Sequence, residues 1–319
     1  MATYKGINGY AVQTVASDPS PGDPGQVFYN TTAKAFEYTT EVQGAWASGG
    51  SLATARYALA GAGAQTAGLA FGGNNGTAST AATEEYDGTS WTAGGNLTTG
   101  RASLAGCGTQ TSALAFGGLT APGNQTEEYD GTSWTSGGNL PTTNRYLAGA
   151  GTQTSALGFG GDPTPNATHE YNGTTWTAGG NLGTGRYLLA GAGTQTTALA
   201  FGGTSPTTNI TEEYDGTSWT AGGTMTTARA ELAGAGLQTS ALAVGGEPTG
   251  GGETNATELY NGTSWTTGGT MTTARRQLAS CGTQTSGLAF GGYNGSSATG
   301  ATEEFTGGPT NVNKTISFS

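Results

Sequence analysis

Apolar positions along this chain fall in short runs of four or five residues that end abruptly, and no stretch carries a capped helical period. The segment from Thr177 to Trp219 shows the pattern. The small-residue run LAGAG passes through a TQT turn into ALAF, which stops at Gly202-Gly203. A second polar–apolar run, TEEY, then leads through Asp215-Gly216, a strong tight-turn signal, to Trp219. This predicts four short antiparallel strands per unit.

The unit recurs six times. Trp46, Trp91, Trp134, Trp176, Trp219 and Trp265 mark it at separations of 45, 43, 42, 43 and 46 residues. Gly-Gly closes an apolar run in each copy, at Gly72-Gly73, Gly117-Gly118, Gly160-Gly161, Gly202-Gly203, Gly245-Gly246 and Gly291-Gly292. Four strands repeated at this interval are the pattern of a propeller blade, so the expectation is an all-β, six-bladed β-propeller with four-stranded blades. The sixth unit ends at Phe305 with no Trp after it, while Trp46 precedes the first complete unit. The segment around Ala45-Trp46 is therefore expected to supply the last outer strand, so that the N-terminal segment closes the ring and removes an exposed edge. The domain boundaries that follow are a short N-terminal arm and Pro/Gly linker at 1–25, a hairpin at 26–45 leading into the ring, and the propeller at 46–319.

Composition supports order rather than a flexible chain. Sixty of 319 residues are Gly, but six Trp, 13 Tyr and nine Phe recur at fixed intervals, unlike the aromatic-poor, highly charged composition of disordered chains. Gly and Ala on the first two strands allow backbones to approach near an axis, and the large Trp and Tyr fill the wider gaps outside. A net charge of −11 argues against nucleic-acid binding. No apolar run reaches the ~20 residues of a bilayer span, and no signal peptide is expected from MATYKGINGYAVQT. One His and two Cys leave little for metal or redox chemistry, so no cofactor is expected. Cys107 and Cys281 read as small buried thiols.

The Gly-Gly after an apolar strand, the Tyr and Trp downstream and the following Arg in GTGR or TTAR resemble the kelch repeat over roughly 46–305, with a tighter spacing between Tyr and Trp. GTQTSALAFGG followed by TEEYDGTSW is similar to kelch-like repeats in structural proteins of marine tailed phages, as is the N-terminal stretch through SDPSPGDPGQVFYNTTAKAF. The resemblance implies a non-enzymatic virion protein of tail-fibre, tail-tip or capsid-decoration type. Its arm would attach to other virion proteins, and its ring would face a host-surface glycan or a neighbouring subunit, with self-association left open. A free-standing lectin-like module is the alternative.

Candidate chemistry lies at five kinds of position. Arg56, Arg101, Arg186, Arg229 and Arg275 occupy one slot, where the third unit has Asn144 with Arg145 displaced by one. The kelch resemblance implies that such an Arg ring lies near a channel mouth and meets anions. The competing expectation, favoured by near-identity of the copies, pairs each Arg with a strand Glu. The Glu pairs, such as Glu84-Glu85, Glu127-Glu128, Glu212-Glu213 and Glu303-Glu304, point to opposite faces of a strand and cannot act together in hydrolysis. They are expected to form a solvated outer rim. His169 stands alone in a Glu slot, too few for the His ligands of copper oxidases with kelch-like rings. DGTSW resembles the aspartate box of sialidases but lacks its spacer, and Asn172 and Asn261 replace the Asp. Variation concentrates in the loop after Gly-Gly, 9, 7, 6, 7, 10 and 9 residues long. Its Asn74, Asn75, Asp162, Glu247, Glu253, Tyr293 and Asn294 are the candidate sugar-binding residues.

Overall fold

The computed structural model describes residues 13–16, 26–308 and 310–316, and the rest of the arm and linker expected at 1–25 lies outside them. The described residues contain strands and no helix, in a β-propeller-like all-β arrangement. Each repeat forms one four-stranded antiparallel sheet. In the first, Ala60–Ala64 pairs with Ala67–Phe71, which pairs with Thr83–Tyr86, which pairs with Trp91–Ala93. In the last, Ala279–Thr283, Ser286–Phe290 and Thr302–Thr306 take Ala45–Ser48 as their fourth strand, with Trp46 opposite Phe305.

Local chemistry makes each turn. Asp87 Oδ1 accepts from the backbone N–H of Thr89 and Ser90 at 2.8 and 2.7 Å, and Asn172 and Asn261 accept the same two bonds in their units. Either side chain serves, because the turn needs only the carbonyl-like oxygen. Gly72 sits at φ 64° with an added Cβ only 2.6 Å from the Arg101 carbonyl oxygen of the next repeat, so a side chain there is blocked twice over.

Sheets stack on one another through aromatic side chains. Trp134, on Trp134–Ser136 of the second repeat, meets Phe71 of the first at 4.9 Å and donates its indole N–H to Thr83 at 2.9 Å. The same bond joins Trp91 to Thr302, Trp176 to Thr126, Trp219 to Thr168, Trp265 to Thr211 and Trp46 to Thr257. The TQT turn also has a cause: Gln110 donates to the carbonyls of Gly68 and Tyr86 in the preceding sheet, and five equivalent Gln repeat this. An added Cβ on Gly106 would stand 2.3 Å from the Phe71 ring. Where the fifth repeat has Val244 instead of Phe, the facing position is Ser280 rather than Gly.

Ala45–Gly307 forms one compact unit. The described residues of Met1–Gly44 and Gly308–Ser319 form a second. There Gln13–Val15 runs parallel to Val27–Asn30, which forms a hairpin with Ala35–Val42. Ala35–Val42 then takes Thr310–Thr315 along its other edge. The boundary read from sequence, 46–319, therefore needs correction at its C-terminal end: the last strand satisfies its backbone groups on the N-terminal hairpin, not in the repeat unit.

Candidate binding face

The Arg slot is interior. Arg56, Arg101, Arg186, Arg229 and Arg275 are at most 1% exposed, and each pairs with the first Glu of its own repeat, Glu84, Glu127, Glu212, Glu258 and Glu303, at 2.9–3.2 Å. Arg101 also donates to the carbonyls of Gly117 and Gln125 at 3.0 and 2.7 Å, while Glu127 accepts the Thr98 N–H at 2.7 Å. Burial pulls the Arg101 guanidinium below its ordinary value, and Glu127 pulls it back. These are not channel-mouth anion ligands, because no guanidinium among the five reaches solvent. In the third repeat both partners change together. Asn144 occupies the Arg slot, donates to the Gly160 carbonyl at 2.8 Å, and the Glu slot holds His169. Burial lowers the His169 pKa. The pair has been replaced as a unit, which avoids a buried charge without a counter-ion.

The expected solvated rim of Glu pairs also needs correction. Opposite strand faces do split each pair, but neither member stands free in water. The first Glu goes inward to Arg, and the second accepts a bond from the Tyr hydroxyl of the next sheet. These bonds are Tyr129 to Glu85, Tyr171 to Glu128, Tyr214 to Glu170, Tyr260 to Glu213 and Tyr86 to Glu304, at 2.5–2.6 Å. Phe305 lacks the hydroxyl, and Leu259, in the corresponding slot of the fifth repeat, lacks the carboxylate; both are buried in one apolar cluster. Burial first, then the Glu partner, pushes these five phenols up to about 12 from an ordinary value of 10.0. The raised pKa marks the neutral phenol as the form the fold favours. Its contribution is whole below about pH 10 and is lost as pH rises towards about 12. The denaturation midpoint is therefore expected to fall across that window, in step with phenolate absorbance. A midpoint flat through pH 12 would show that these bonds do not couple ionisation to folding.

Sequence-marked loop residues divide by role. Asn75 and Asn294 accept backbone N–H bonds from residues two and three positions on, and Asn74 accepts from Gly76. They are turn caps. Asp162 pairs with Arg145 at 2.8 Å in the open. Glu247, Glu253 and Tyr293 come together on Arg276: Glu253 lies at 3.3 Å, Glu247 accepts directly from Nη1, and the guanidinium sits 5.4 Å from the Tyr293 ring centre. Glu231 joins them at 3.4 Å, its carboxyl pushed up by burial. Tyr57 meets Tyr293 edge-on at 5.8 Å.

The centre of this face is a position the loop pattern did not mark. Ala58, Ser103, Tyr146, Leu188, Glu231 and Gln277 all adopt left-handed φ between 52 and 58°. Their N–H groups donate in turn to the carbonyl of the equivalent residue one repeat back, at 2.8–3.0 Å, and the circuit returns to its start through Ala58 N–H to Gln277 O. These backbone groups satisfy one another across repeats, which offsets the cost of six strained dihedrals. A cavity of about 120 Å³ opens above them, lined also by Leu59, Leu104, Leu147, Leu189, Leu232 and Leu278. The Leu ring is invariant and the six residues before it all differ. Their neighbours Tyr57, Ala102, Arg145, Tyr187, Ala230 and Arg276 vary as well. That variation, directly after a slot that is Arg in five of six repeats, was the sequence signal for the missed residues Arg276, Glu231, Gln277, Tyr146 and Tyr187.

Cys107 and Cys281 are buried and unpaired with each other, and burial pushes both thiols up to about 12, which leaves them unreactive at neutral pH. Among the described residues no group of three or more His, Cys, Asp or Glu is placed to hold a metal ion. No protein-family model matches the sequence, and no curated protein matches it.

Proposed function

We propose that this chain is a non-enzymatic binding module: a six-bladed, kelch-like β-propeller, closed by Ala45–Ser48, that belongs to a phage virion and presents its axial face to a host-surface glycan or a neighbouring subunit. The six-fold closed ring is supported by three inter-repeat circuits that each return to their start, one of axial backbone bonds, one of Trp–Thr bonds and one of Gln–carbonyl bonds. The virion assignment, with attachment through the arm, rests on the resemblance of GTQTSALAFGG and TEEYDGTSW to phage structural repeats.

One observation carries the binding role. Repeats that agree almost residue for residue in their strands diverge at the axial positions and in the loops beside them, where Tyr, Glu and Arg replace Ala and Ser. A scaffold needs no such divergence, whereas a ligand that meets several blades at once does. A free-standing lectin-like adhesion module would use the same face and dispense with the arm.

A glycan array probed with the full chain, and with a chain carrying Tyr146→Ala and Tyr187→Ala, tests the face. Binding by the parent and loss in the variant is expected, and equal binding by both would move the site elsewhere. Mass spectrometry of purified particles tests the location, and absence of the chain from them would remove the virion reading.

A further inference from the structure

A cleft of about 300 Å³ lies off the axis between the loops of the fourth and fifth repeats. Its walls include Tyr187, Leu188, Thr204 and Thr207 from one repeat and Glu231 and Glu247 from the next. Both walls are set by backbone pairing, Tyr187 with Thr204 and Ala230 with Glu247. The two carboxylates are fixed from behind: Arg276 receives Glu231 and Glu247 together with Glu253, and Tyr293 covers the guanidinium. Arg276 is thus a positioning residue and not a surface cation free for a ligand. Glu231 Oε2, although near Arg276 Nε, makes no hydrogen bond and is buried.

The chemistry of these walls is selective. Three carboxylates meet one guanidinium, so the cluster keeps an excess of negative charge and repels an anionic ligand. Carboxylate oxygens and Thr hydroxyls accept from hydroxyl groups, while the Tyr187 ring and Leu188 offer an apolar surface. A pyranose combines those two needs, with hydroxyls round its edge and an apolar C–H face. At the rim, an added Cβ on Gly250 or Gly252 would meet nothing within 4 Å, so a polymer can run out of the cleft there.

Resting on the binding-module reading above, we propose that this cleft is a subsite for one uncharged hexose unit of a surface polysaccharide, with its C–H face on Tyr187 and its hydroxyls on Glu247, Thr204 and Thr207. The full chain would be titrated with methyl β-galactoside, methyl α-glucoside and glucuronate, followed by saturation-transfer NMR and calorimetry. One or both neutral glycosides should bind and glucuronate should not. Tyr187→Ala and Glu247→Gln should each weaken binding about tenfold or more, while Leu119→Ala, an exposed side chain of the second repeat, should not. Unchanged circular dichroism and melting would separate loss of contact from loss of fold.

Neutral glycosides that bind both cleft variants as well as the parent would overturn the subsite and leave the binding-module reading standing. Glucuronate binding as tightly as the neutral sugars would overturn the charge argument and with it the proposal. No binding of any glycoside would overturn the hexose subsite and leave a neighbouring subunit as the partner of this face.

Discussion

Glu127→Ala is expected to destabilise the repeat unit by about 3–5 kcal/mol, because it leaves Arg101 charged, buried and without its counter-ion. The loss should exceed that of an exposed pair such as Arg145–Asp162, where water replaces the missing partner. The third repeat supplies the remedy. Changing Arg101→Asn together with Glu127→His copies Asn144 and His169, which occupy the same two slots in the intact fold. The double variant should therefore recover most of what Glu127→Ala loses and be more stable than Arg101→Asn alone, which strands Glu127 instead. Urea denaturation of Arg101→Asn, Glu127→His and the double variant closes the cycle, with Glu127→Ala measured beside it. Additive losses would mean that the two slots stabilise the fold independently and that their joint replacement in the third repeat has no energetic cause.

The same logic explains what could be read from the sequence and what could not. Strand order, turns and the four-strand unit were legible because each depends on local chemistry repeated six times: a Gly-Gly stop, an Asp-Gly turn, a Trp at constant spacing. Pairing of each Arg slot with a strand Glu was also accessible, as the alternative to a channel-mouth ring. The fate of the Glu pairs was not. Exposed charge on a strand ordinarily faces water, and nothing near Glu85 in sequence announces that Tyr129 will donate to it at 2.5 Å. Substitutions that travel together would have helped: Asn144 with His169, Leu259 with Phe305, Val244 with Ser280. Each is one irregular residue in its own repeat and becomes intelligible only beside its partner.

The proposed binding face was half visible. Loop variation led to Glu247, Glu253 and Tyr293, which do meet, and also to Asn74, Asn75 and Asn294, which cap their own turns. Polar character alone does not separate a side chain committed to its own backbone from one available to a ligand. Gly308–Ser319 went unrecognised for a different reason. Its strand pairs with residues some 270 positions earlier, for example Lys314 with Tyr38, and such non-local pairing leaves no periodic trace.

Trp134→Ala should cost about 3–5 kcal/mol, the range for truncating a buried Trp. Its indole is 5% exposed and is clasped by Phe71 of one sheet and Tyr129 of its own, both at 4.9 Å. The cavity left behind would be lined by Phe71, Tyr129, Leu69, Leu97 and Leu104, which are themselves buried and packed in the same cluster, so they cannot refill it without giving up their own contacts. Trp134→Phe isolates the polar part: most apolar contact survives, Thr83 Oγ1 loses its indole donor, and the expected loss is about 1 kcal/mol. Trp46→Ala gives the contrasting case. Trp46 makes the equivalent bond to Thr257 at 3.0 Å and packs on Phe305, but its ring is only partly buried. Less area leaves water when it folds, so its truncation should cost less than that of Trp134. Chemical denaturation of the three variants orders them. A loss below about 1 kcal/mol at Trp134, or a larger loss at Trp46 than at Trp134, would show that aromatic wedging between sheets is not what holds the repeats together.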